Sequence, residues 1–131
     1  CLICNKSVPG PERQSYMGKD IYLKREGIRE NNLLLQVGAE YPCGFCGRCT
    51  ATSGCTISIA GGKAVSSCAE AYAFRICDAA KSSTSKPCTN VPIRCTLCNE
   101  THWKYNFPRH LEEKHPKCMA VKVMFYCNFH N

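Results

Sequence analysis

The chain has 131 residues, 13 of them cysteine, and a formal net charge of +7. This length allows one domain or two very small ones and excludes a large enzyme fold. The cysteine density requires either disulfides or bound metal. No apolar run reaches membrane-spanning length and no signal-like stretch leads the sequence, so we expect no membrane partner.

The spacing of the cysteines favours metal over disulfides. An odd count leaves at least one thiol unpaired in a monomer, and short Cys-x2-Cys pairs are typical metal knuckles. We therefore expect an intracellular zinc protein, with a secreted disulfide scaffold as the alternative. The chain begins with Cys1 and is expected to be a fragment. The pairs are Cys1/Cys4, Cys43/Cys46, Cys46/Cys49 and Cys95/Cys98.

Residues 1–26 look like a repeat of a later stretch, residues 95–115. Both open with Cys-x2-Cys-Asn, and in both, eleven residues separate the second cysteine from the next expected ligand. In the later copy that ligand is His110, and in the first it is Tyr16, followed one turn on by Asp20 or its neighbour. Pro11 and Glu12 mark a helix start, which places Tyr16 and Asp20 on one face.

The first site lacks a full set of zinc donors because tyrosine is a poor zinc ligand. Either Cys1 and Cys4 bind no metal, or they take ligands from elsewhere. Asp20 offers a carboxylate, and the end of the chain offers Cys127 and His130, which would complete a tetrahedron with Cys1 and Cys4.

The segment that follows, 27–41, contains Leu33, Leu34, Leu35 and Val37 between polar flanks. We expect it to connect two units and to pack against the rest of the chain. Its periodicity does not decide between helix and strand.

Residues 43–88 predict a zinc-ribbon-like site. Cys43 and Cys46 form a knuckle with a glycine after each cysteine, which suits a tight turn with N–H groups pointing at sulfur. Alternating residues around Gly61-Gly62 predict a β-hairpin that pairs Ala60 with Lys63 and places Cys55 opposite Cys68. Two further thiolates come from among Cys55, Cys68 and Cys88, and the hairpin favours the first two.

Other cysteines of this block are expected to be structural. Cys49 and Cys77 are predicted to be small buried apolar residues. An iron–sulfur site at Cys43, Cys46 and Cys49 is a weaker alternative, because the expected short spacing to a fourth ligand and its trailing proline are missing.

Three further segments follow from the pattern beyond the hairpin. Residues 69–80 fit either a short helix or a strand, residues 81–87 a polar loop, and residues 119–126 a strand.

Residues 95–115 have the ligand spacing of a two-Cys, two-His zinc finger. The predicted ligands are Cys95, Cys98, His110 and His115. Asn106 is placed to cap a helix near 107–115, with Pro108 in its first turn and Pro116 beyond its end. A proline in the first turn starts the helix late, so the usual base-reading positions cannot be transferred to this helix.

Three motifs carry a family resemblance. They are Tyr41-Pro-Cys-Gly-Phe-Cys-Gly, the run from Lys86 to Cys98, and Trp103-Lys-Tyr-Asn ahead of the two histidines. Together they resemble a cysteine-rich zinc-finger module found in many basidiomycete (mushroom-type) fungal proteins, over most of the chain. The resemblance implies nuclear, transposon-associated DNA binding. It matches Cys1 and Cys4 in a first finger, but not Tyr16 or Asp20. The cysteines it implies as the family's are Cys43, Cys46, Cys55, Cys68, Cys88, Cys95 and Cys98, with Cys49 and Cys77 outside the pattern.

These observations predict a small α+β fold that is stabilised by zinc, with short helices, β-hairpins, and finger and ribbon-like sites holding two or three Zn²⁺ ions. The expected units are 1–42, a degenerate finger with its connecting segment, 43–90, the ribbon-like unit, and 91–131, the finger with a C-terminal strand. Together they are expected to form one compact domain.

We expect no catalysis and no small-molecule substrate. The sequence has no carboxylate pair placed for acid–base catalysis, no Ser-His-Asp arrangement and no His-x-Glu ahead of a Pro-Cys-x2-Cys, the order found in deaminases, and zinc ligands are unavailable as nucleophiles. The leading prediction is a nuclear module that binds nucleic acid, preferably double-stranded DNA; a protein-interaction or scaffolding role is the alternative. Trp103 and Tyr105 are expected to add stacking or apolar contacts. The predicted nucleic-acid contacts are Arg94, Lys104, Arg109, Lys114 and Lys117.

Overall fold

The computed structural model describes residues 1–81, 83–84 and 89–121. It contains short helices and two separate two-stranded antiparallel sheets, which confirms the expected small α+β fold. Among the described residues, no helix is long and apolar enough to cross a membrane.

The first unit is a knuckle followed by a helix. A 3₁₀ turn over Gly10–Glu12 leads into helix α1, Arg13–Arg25, as the Pro11-Glu12 signal predicts. Two residues beyond the end of the helix lies Gly27, which has a φ of +70°. There the Ile28 N–H donates to the Leu23 carbonyl at 2.9 Å, a glycine-terminated helix end that satisfies otherwise free carbonyls.

Helix α1 buries one face against the chain around it. Ile3, Met17, Ile21 and Val37 form a small apolar cluster, which we call the N-terminal cluster. Burial of each such side chain stabilises the unit by about 1.5–3 kcal/mol.

The connecting segment packs only in part. Val37 is buried and Leu33 packs against the N-terminal cluster, as expected. Leu34 and Leu35, by contrast, are 69% and 54% exposed, so the expectation that this segment packs is wrong for these two residues. Their N–H groups both donate to the Ile3 carbonyl, at 2.6 and 3.1 Å, and this backbone pairing turns their side chains outward.

The first hairpin has the predicted register. Strands β1, Ile57–Ala60, and β2, Lys63–Ser66, follow a short helical turn α2, Thr50–Ser53, and pair Ala60 with Lys63 and Ile57 with Ser66. Gly61 and Gly62 both have positive φ, which the tight turn requires. In the ambiguous stretch 69–80, helix α3 covers Ile76–Ala79, while the alternative strand is represented only by an isolated bridge from Arg75 to Lys63.

The second hairpin and its helix form the finger. Strands β3, Pro92–Arg94, and β4, Thr101–Trp103, enclose the knuckle at Cys95–Cys98, and β1 contacts both strands. A 3₁₀ turn over Lys104–Asn106 then leads into helix α4, Phe107–Lys114, close to the predicted range.

Two details of this region differ from the predictions. Asn106 does not cap α4 with its side chain; it is buried and its Nδ2 donates to the Pro42 carbonyl at 2.9 Å. Residues 119–121, predicted to be strand, belong to a 3₁₀ helix over Pro116–Val121, because the chain continues to turn after His115, the residue that ends α4. The rest of that predicted strand, 122–126, lies outside the described residues.

The centre of the fold is aromatic and close-packed. Trp103 is 1% exposed and meets the Phe45 ring edge-on, with ring centroids 5.0 Å apart. A Cβ added to Gly44 would lie 2.4 Å from the Trp103 ring, so only glycine fits there. Trp103 therefore fills the space between the two cysteine-rich sites.

Asn90 joins three parts of the chain. Its buried Nδ2 donates to the Gln14 carbonyl of α1 and to the Gly44 carbonyl, both at 3.1 Å. A Cβ on Gly18 would lie 2.6 Å from that of Asn90, so α1 approaches it closely. The first and second predicted units thus meet at a buried amide that directly precedes the third unit; their division into domains stays a prediction.

Candidate metal centres

Three Cys-x2-Cys knuckles have the same backbone. In each, the N–H four residues after the first cysteine donates to that cysteine's carbonyl, and the nitrogen of the first cysteine donates to the carbonyl five residues on. The repeat predicted between residues 1–26 and 95–115 therefore extends to the backbone of their knuckles. The donating residues are Asn5, Gly47 and Asn99, each with a φ between 57° and 72°.

Asparagine and glycine suit this turn for the same reason. Its fifth residue is left-handed, a conformation that glycine and asparagine adopt at the least cost. In the second and third knuckles the two sulfurs of the pair lie within 4.8 Å of each other. Local structure thus places these two cysteine pairs for ligation.

The first hairpin and second knuckle bring four sulfurs together, which we call the ribbon cluster. Its members are Cys43, Cys46, Cys55 and Cys68. Their sulfur atoms all lie within 4.8 Å of one another, and Cys46 Sγ is 3.9 Å from Cys55 Sγ. The hairpin thus supplies Cys55 and Cys68, the pair that the register favoured over Cys88, which lies outside the described residues.

The thiols of the ribbon cluster do not titrate independently. Hydrogen bonding between the Cys43 and Cys46 sulfurs raises the pKa of Cys43 and lowers the pKa of Cys46 to about 4. Burial raises the pKa of Cys68 to about 12. Without a cation, one thiolate is favoured while its neighbours retain protons, and a bound dication would displace those protons.

The finger cluster consists of Cys95, Cys98, His110 and His115. Both histidines turn Nε2 towards sulfur: His110 Nε2 lies 3.4 Å from Cys98 Sγ and His115 Nε2 lies 3.6 Å from Cys95 Sγ. Burial lowers the pKa of His110, and the neighbouring His102 lowers it further, so the imidazole is neutral as a ligand must be.

The spacing of both clusters fits zinc. With Zn–S at about 2.3 Å and Zn–N at about 2.05 Å, a tetrahedron has S–S edges of about 3.8 Å and S–N edges of about 3.6 Å. The three distances just given, 3.9, 3.4 and 3.6 Å, match those edges. A disulfide would need about 2.05 Å, and all cysteines of the two clusters are free. These donors therefore fit a zinc ion in each cluster.

A carboxylate adjoins the finger cluster. Glu100 Oε2 lies 3.1 Å from His102 Nε2 and 3.5 Å from His110 Nδ1, and the three side chains form a further group of possible ligands. The His102 and His110 rings are stacked with centroids 4.1 Å apart. Sequence reasoning missed Glu100 and His102; the signal was their alternate positions around Thr101, where the chain leaves the knuckle and enters β4.

The first knuckle has neighbours of another kind. The Tyr16 hydroxyl lies 3.0 Å from Cys4 Sγ, at the same sequence separation as His110 from Cys98. Hydrogen bonding to Cys4 raises the pKa of Tyr16, which keeps the phenol neutral. Five residues on, where the finger has His115, Ile21 is buried in the N-terminal cluster.

Asp20 is not brought to this knuckle as a ligand. Within residues 1–81, 83–84 and 89–121, no group of three or more close ligand atoms includes Cys1, Cys4 or Asp20. The other predicted completion, by Cys127 and His130, lies outside the described residues.

Of the two cysteines expected to be buried, Cys49 is partly buried and Cys77 is exposed. The prediction is therefore wrong for Cys77, which lies on the single exposed turn of α3.

The residues predicted to contact nucleic acid fall into two groups. Arg109 is already paired with two carboxylates of the same chain, with Nε 2.7 Å from Glu113 and Nη2 3.1 Å from Glu40. Lys104 donates to the Thr89 hydroxyl at 2.8 Å. The remaining three cations, Arg94, Lys114 and Lys117, are exposed.

The aromatic residues of the finger face inward. Trp103 is wholly buried, so the expectation that it stacks on a partner is wrong, because the hairpin register points it at Phe45. Tyr105 is partly buried and packs against the N-terminal cluster and the Tyr22 ring.

Comparison of the chain with protein-family models, with curated proteins and with solved structures finds no match.

Proposed function

We propose that this chain is a non-catalytic module that binds one zinc ion in the ribbon cluster and one in the finger cluster and presents a basic surface to nucleic acid, with double-stranded DNA as the preferred partner. The observation that carries the proposal is that the four ligand atoms of each cluster lie within 4.8 Å of one another, with separations of 3.4–3.9 Å that match the edges of a zinc tetrahedron. A small chain with limited apolar burial gains folding free energy directly from bound metal.

The metal and the proposed surface are linked through the finger. Helix α4 carries His110, ends at Lys114 and has the second histidine ligand, His115, as its C-cap residue, while β3 enters the knuckle through Arg94. Zinc in the finger cluster would fix these cations relative to one another. Among the described residues they have no salt-bridge partner, which leaves them free for phosphate oxygens.

The structural support for DNA binding comes from Arg94, Lys114 and Lys117 more than from Arg109 and Lys104. Reversing the charge of Arg109 would break its pairs with Glu40 and Glu113, so a loss of binding would mix folding with recognition. The three exposed cations avoid that difficulty.

The test is DNA affinity as a function of salt. For the zinc-loaded chain, binding to a mixed-sequence duplex should weaken steeply as salt rises, because phosphate contacts release counterions. Charge reversal of Arg94, Lys114 and Lys117 together should lower affinity and reduce the salt slope by about 3, roughly one for each lost phosphate contact. Lys63→Glu, at the tip of the first hairpin, is the matched control and should cost much less.

Two results would contradict nucleic-acid binding. One is duplex affinity that does not depend on salt, and the other is unchanged affinity in the triple variant with its zinc content intact.

A protein-interaction role is the second candidate, and one observation favours it. Ile28, Leu34 and Leu35 are all more than half exposed on the connecting segment, where exposed apolar side chains suit a protein partner. Under this alternative the triple charge variant would bind a partner normally, whereas Leu34→Asp with Leu35→Asp would not.

Nuclear location and membership of the fungal zinc-finger module belong to the same proposal. They rest on the charge and on the motif resemblance. A nuclear signal from a fluorescent fusion of this chain, compared with the fluorescent protein alone, would test the location.

A further inference from the structure

The orientation of His110 poses a question about its proton. Its Nε2 faces the Cys98 sulfur at 3.4 Å, and its Nδ1 points the opposite way, towards Glu100 Oε2 at 3.5 Å. The side chain is 1% exposed, so bulk water does not reach the ring. The groups that determine which ring nitrogen carries the proton are therefore side chains or backbone atoms of the protein and not water.

A neutral imidazole carries one N–H, and the other nitrogen has the lone pair. Ligation through Nε2 requires the proton on Nδ1, where it needs an acceptor in a site closed to water. Glu100 supplies a carboxylate oxygen at that position. Carboxylates that receive the second N–H of a ligating histidine fix its tautomer and orientation and raise its basicity.

Glu100 is itself held from two directions. Its backbone carbonyl accepts the Cys95 N–H at 2.7 Å, which is the closing bond of the knuckle. Its Oε2 lies 3.1 Å from His102 Nε2, and the His102 ring stacks on His110. One residue thereby fixes a cysteine ligand through its backbone and a histidine ligand through its side chain.

We propose that Glu100 is the positioning residue of the finger cluster, selecting the tautomer of His110 that leaves Nε2 free for the metal, with His102 restraining the carboxylate. This inference rests on the metal binding in the proposed function. His115 differs because it is partly exposed and water can serve its outer nitrogen.

The experiment uses Co²⁺ as a visible substitute for zinc. Tetrahedral Co²⁺ absorbs differently with four thiolates than with two thiolates and two imidazoles, so one titration reports the ribbon and finger clusters separately. Glu100→Ala should weaken Co²⁺ binding at the finger cluster by about 10- to 100-fold and leave the ribbon cluster unchanged. Glu100→Gln keeps an oxygen acceptor and should recover much of the affinity, while Glu26→Ala, a distant exposed control, should match wild type.

A second readout concerns the tautomer directly. In the zinc-loaded wild type, the ¹⁵N spectrum of His110 should show a protonated Nδ1 with slow proton exchange, and in Glu100→Ala this exchange should become fast. A residue needed only for folding would not produce that change in a variant that still binds metal.

Several results would overturn the proposal. One is a Co²⁺ affinity of the finger cluster in Glu100→Ala that stays within twofold of wild type, and another is an equal loss of Co²⁺ affinity at both clusters. Failure of Glu100→Gln to recover affinity would also overturn it. So would the loss, in Glu100→Ala, of a separate metal ion bound by Glu100, His102 and His110 on their own. A wild-type chain that binds no Co²⁺ at the finger cluster would refute the proposed function itself, a distinct outcome.

Discussion

At the scale of single residues, Asp20 carries an unfavourable charge inside the first unit. Its side chain is buried on α1, and its Oδ2 has no hydrogen-bond partner among the described residues. Burial, followed by the nearby Glu30 carboxylate, raises the pKa of Asp20 to about 6. The carboxyl is therefore more easily protonated in the folded chain than in the unfolded chain.

The sign of the pH effect follows from that pKa. A carboxyl whose pKa is raised on folding contributes most to stability below its unfolded value near 3.8, and this contribution is lost as pH rises through 6. At neutral pH the ionised side chain costs about 2 kcal/mol.

We predict that Asp20→Asn stabilises the zinc-loaded chain at pH 7.5 by about 1–2 kcal/mol, since the amide is never charged. At pH 5 the advantage should fall to roughly half. Denaturant unfolding at the two pH values measures this, with Glu26→Gln as an exposed control that changes little. An Asp20→Asn variant less stable than wild type at pH 7.5 would contradict this prediction, because it would show that the ionised carboxylate stabilises the fold.

At the scale of elements, local pattern predicted most of what the structure contains. The knuckles, the register of the first hairpin and the range of α4 follow from residues close in sequence, because turn residues and side-chain periodicity determine them. The predicted ligands Cys43, Cys46, Cys55 and Cys68 come together for that reason, and the finger ligands do so as well.

The features that sequence reasoning missed depend on contacts between distant residues. Asn106 was read as a helix cap, although its amide bonds to Pro42, 64 positions away. Arg109 was read as a phosphate contact, although it pairs with Glu40, 69 positions away. No local sequence pattern marks Pro42 or Glu40 as the partner of these side chains, so only the folded structure identifies the two contacts.

The two clusters predict separate metal losses. Cys46→Ser and Cys98→Ser should each lower bound zinc by one equivalent, because each removes a ligand from one tetrahedral site. Cys49→Ser and Cys77→Ser, which belong to neither cluster, should keep the wild-type content. Elemental analysis of purified chains with a free-thiol count measures this, and equal loss in all four variants would contradict the assignment.

The first knuckle calls for its own variant. If Cys127 and His130 complete it, Cys127→Ser will contain one zinc fewer than wild type. Unchanged content would remove that possibility and leave the Tyr16 hydrogen bond to Cys4 as the substitute for metal. In that case Tyr16→His with Ile21→His should gain one equivalent.

At the scale of the whole molecule, the parts are held together by a few buried groups between the clusters. Trp103, Phe45 and Asn90 occupy the space where α1, the second knuckle and the finger meet. With so little apolar interior, each such group carries a large share of the stability.

We predict that Asn90→Asp destabilises the folded chain by about 2–4 kcal/mol, because it replaces two donated hydrogen bonds with a buried carboxylate facing two carbonyls. Asn32→Asp adds the same charge at an exposed position and should cost little. Chemical denaturation at fixed free zinc provides the comparison, and equal stability of the two variants would refute the role given to Asn90.

The bond from Asn106 to the Pro42 carbonyl has a consequence for how the ions load. Asn106 precedes the helix that carries His110, and Pro42 precedes Cys43, so ordering either site restrains a residue next to the other. An ion that binds first in one cluster therefore lowers the entropy cost of ordering the other cluster. Metal uptake is then expected to show positive cooperativity, which Asn106→Ala would weaken while every ligand stays in place.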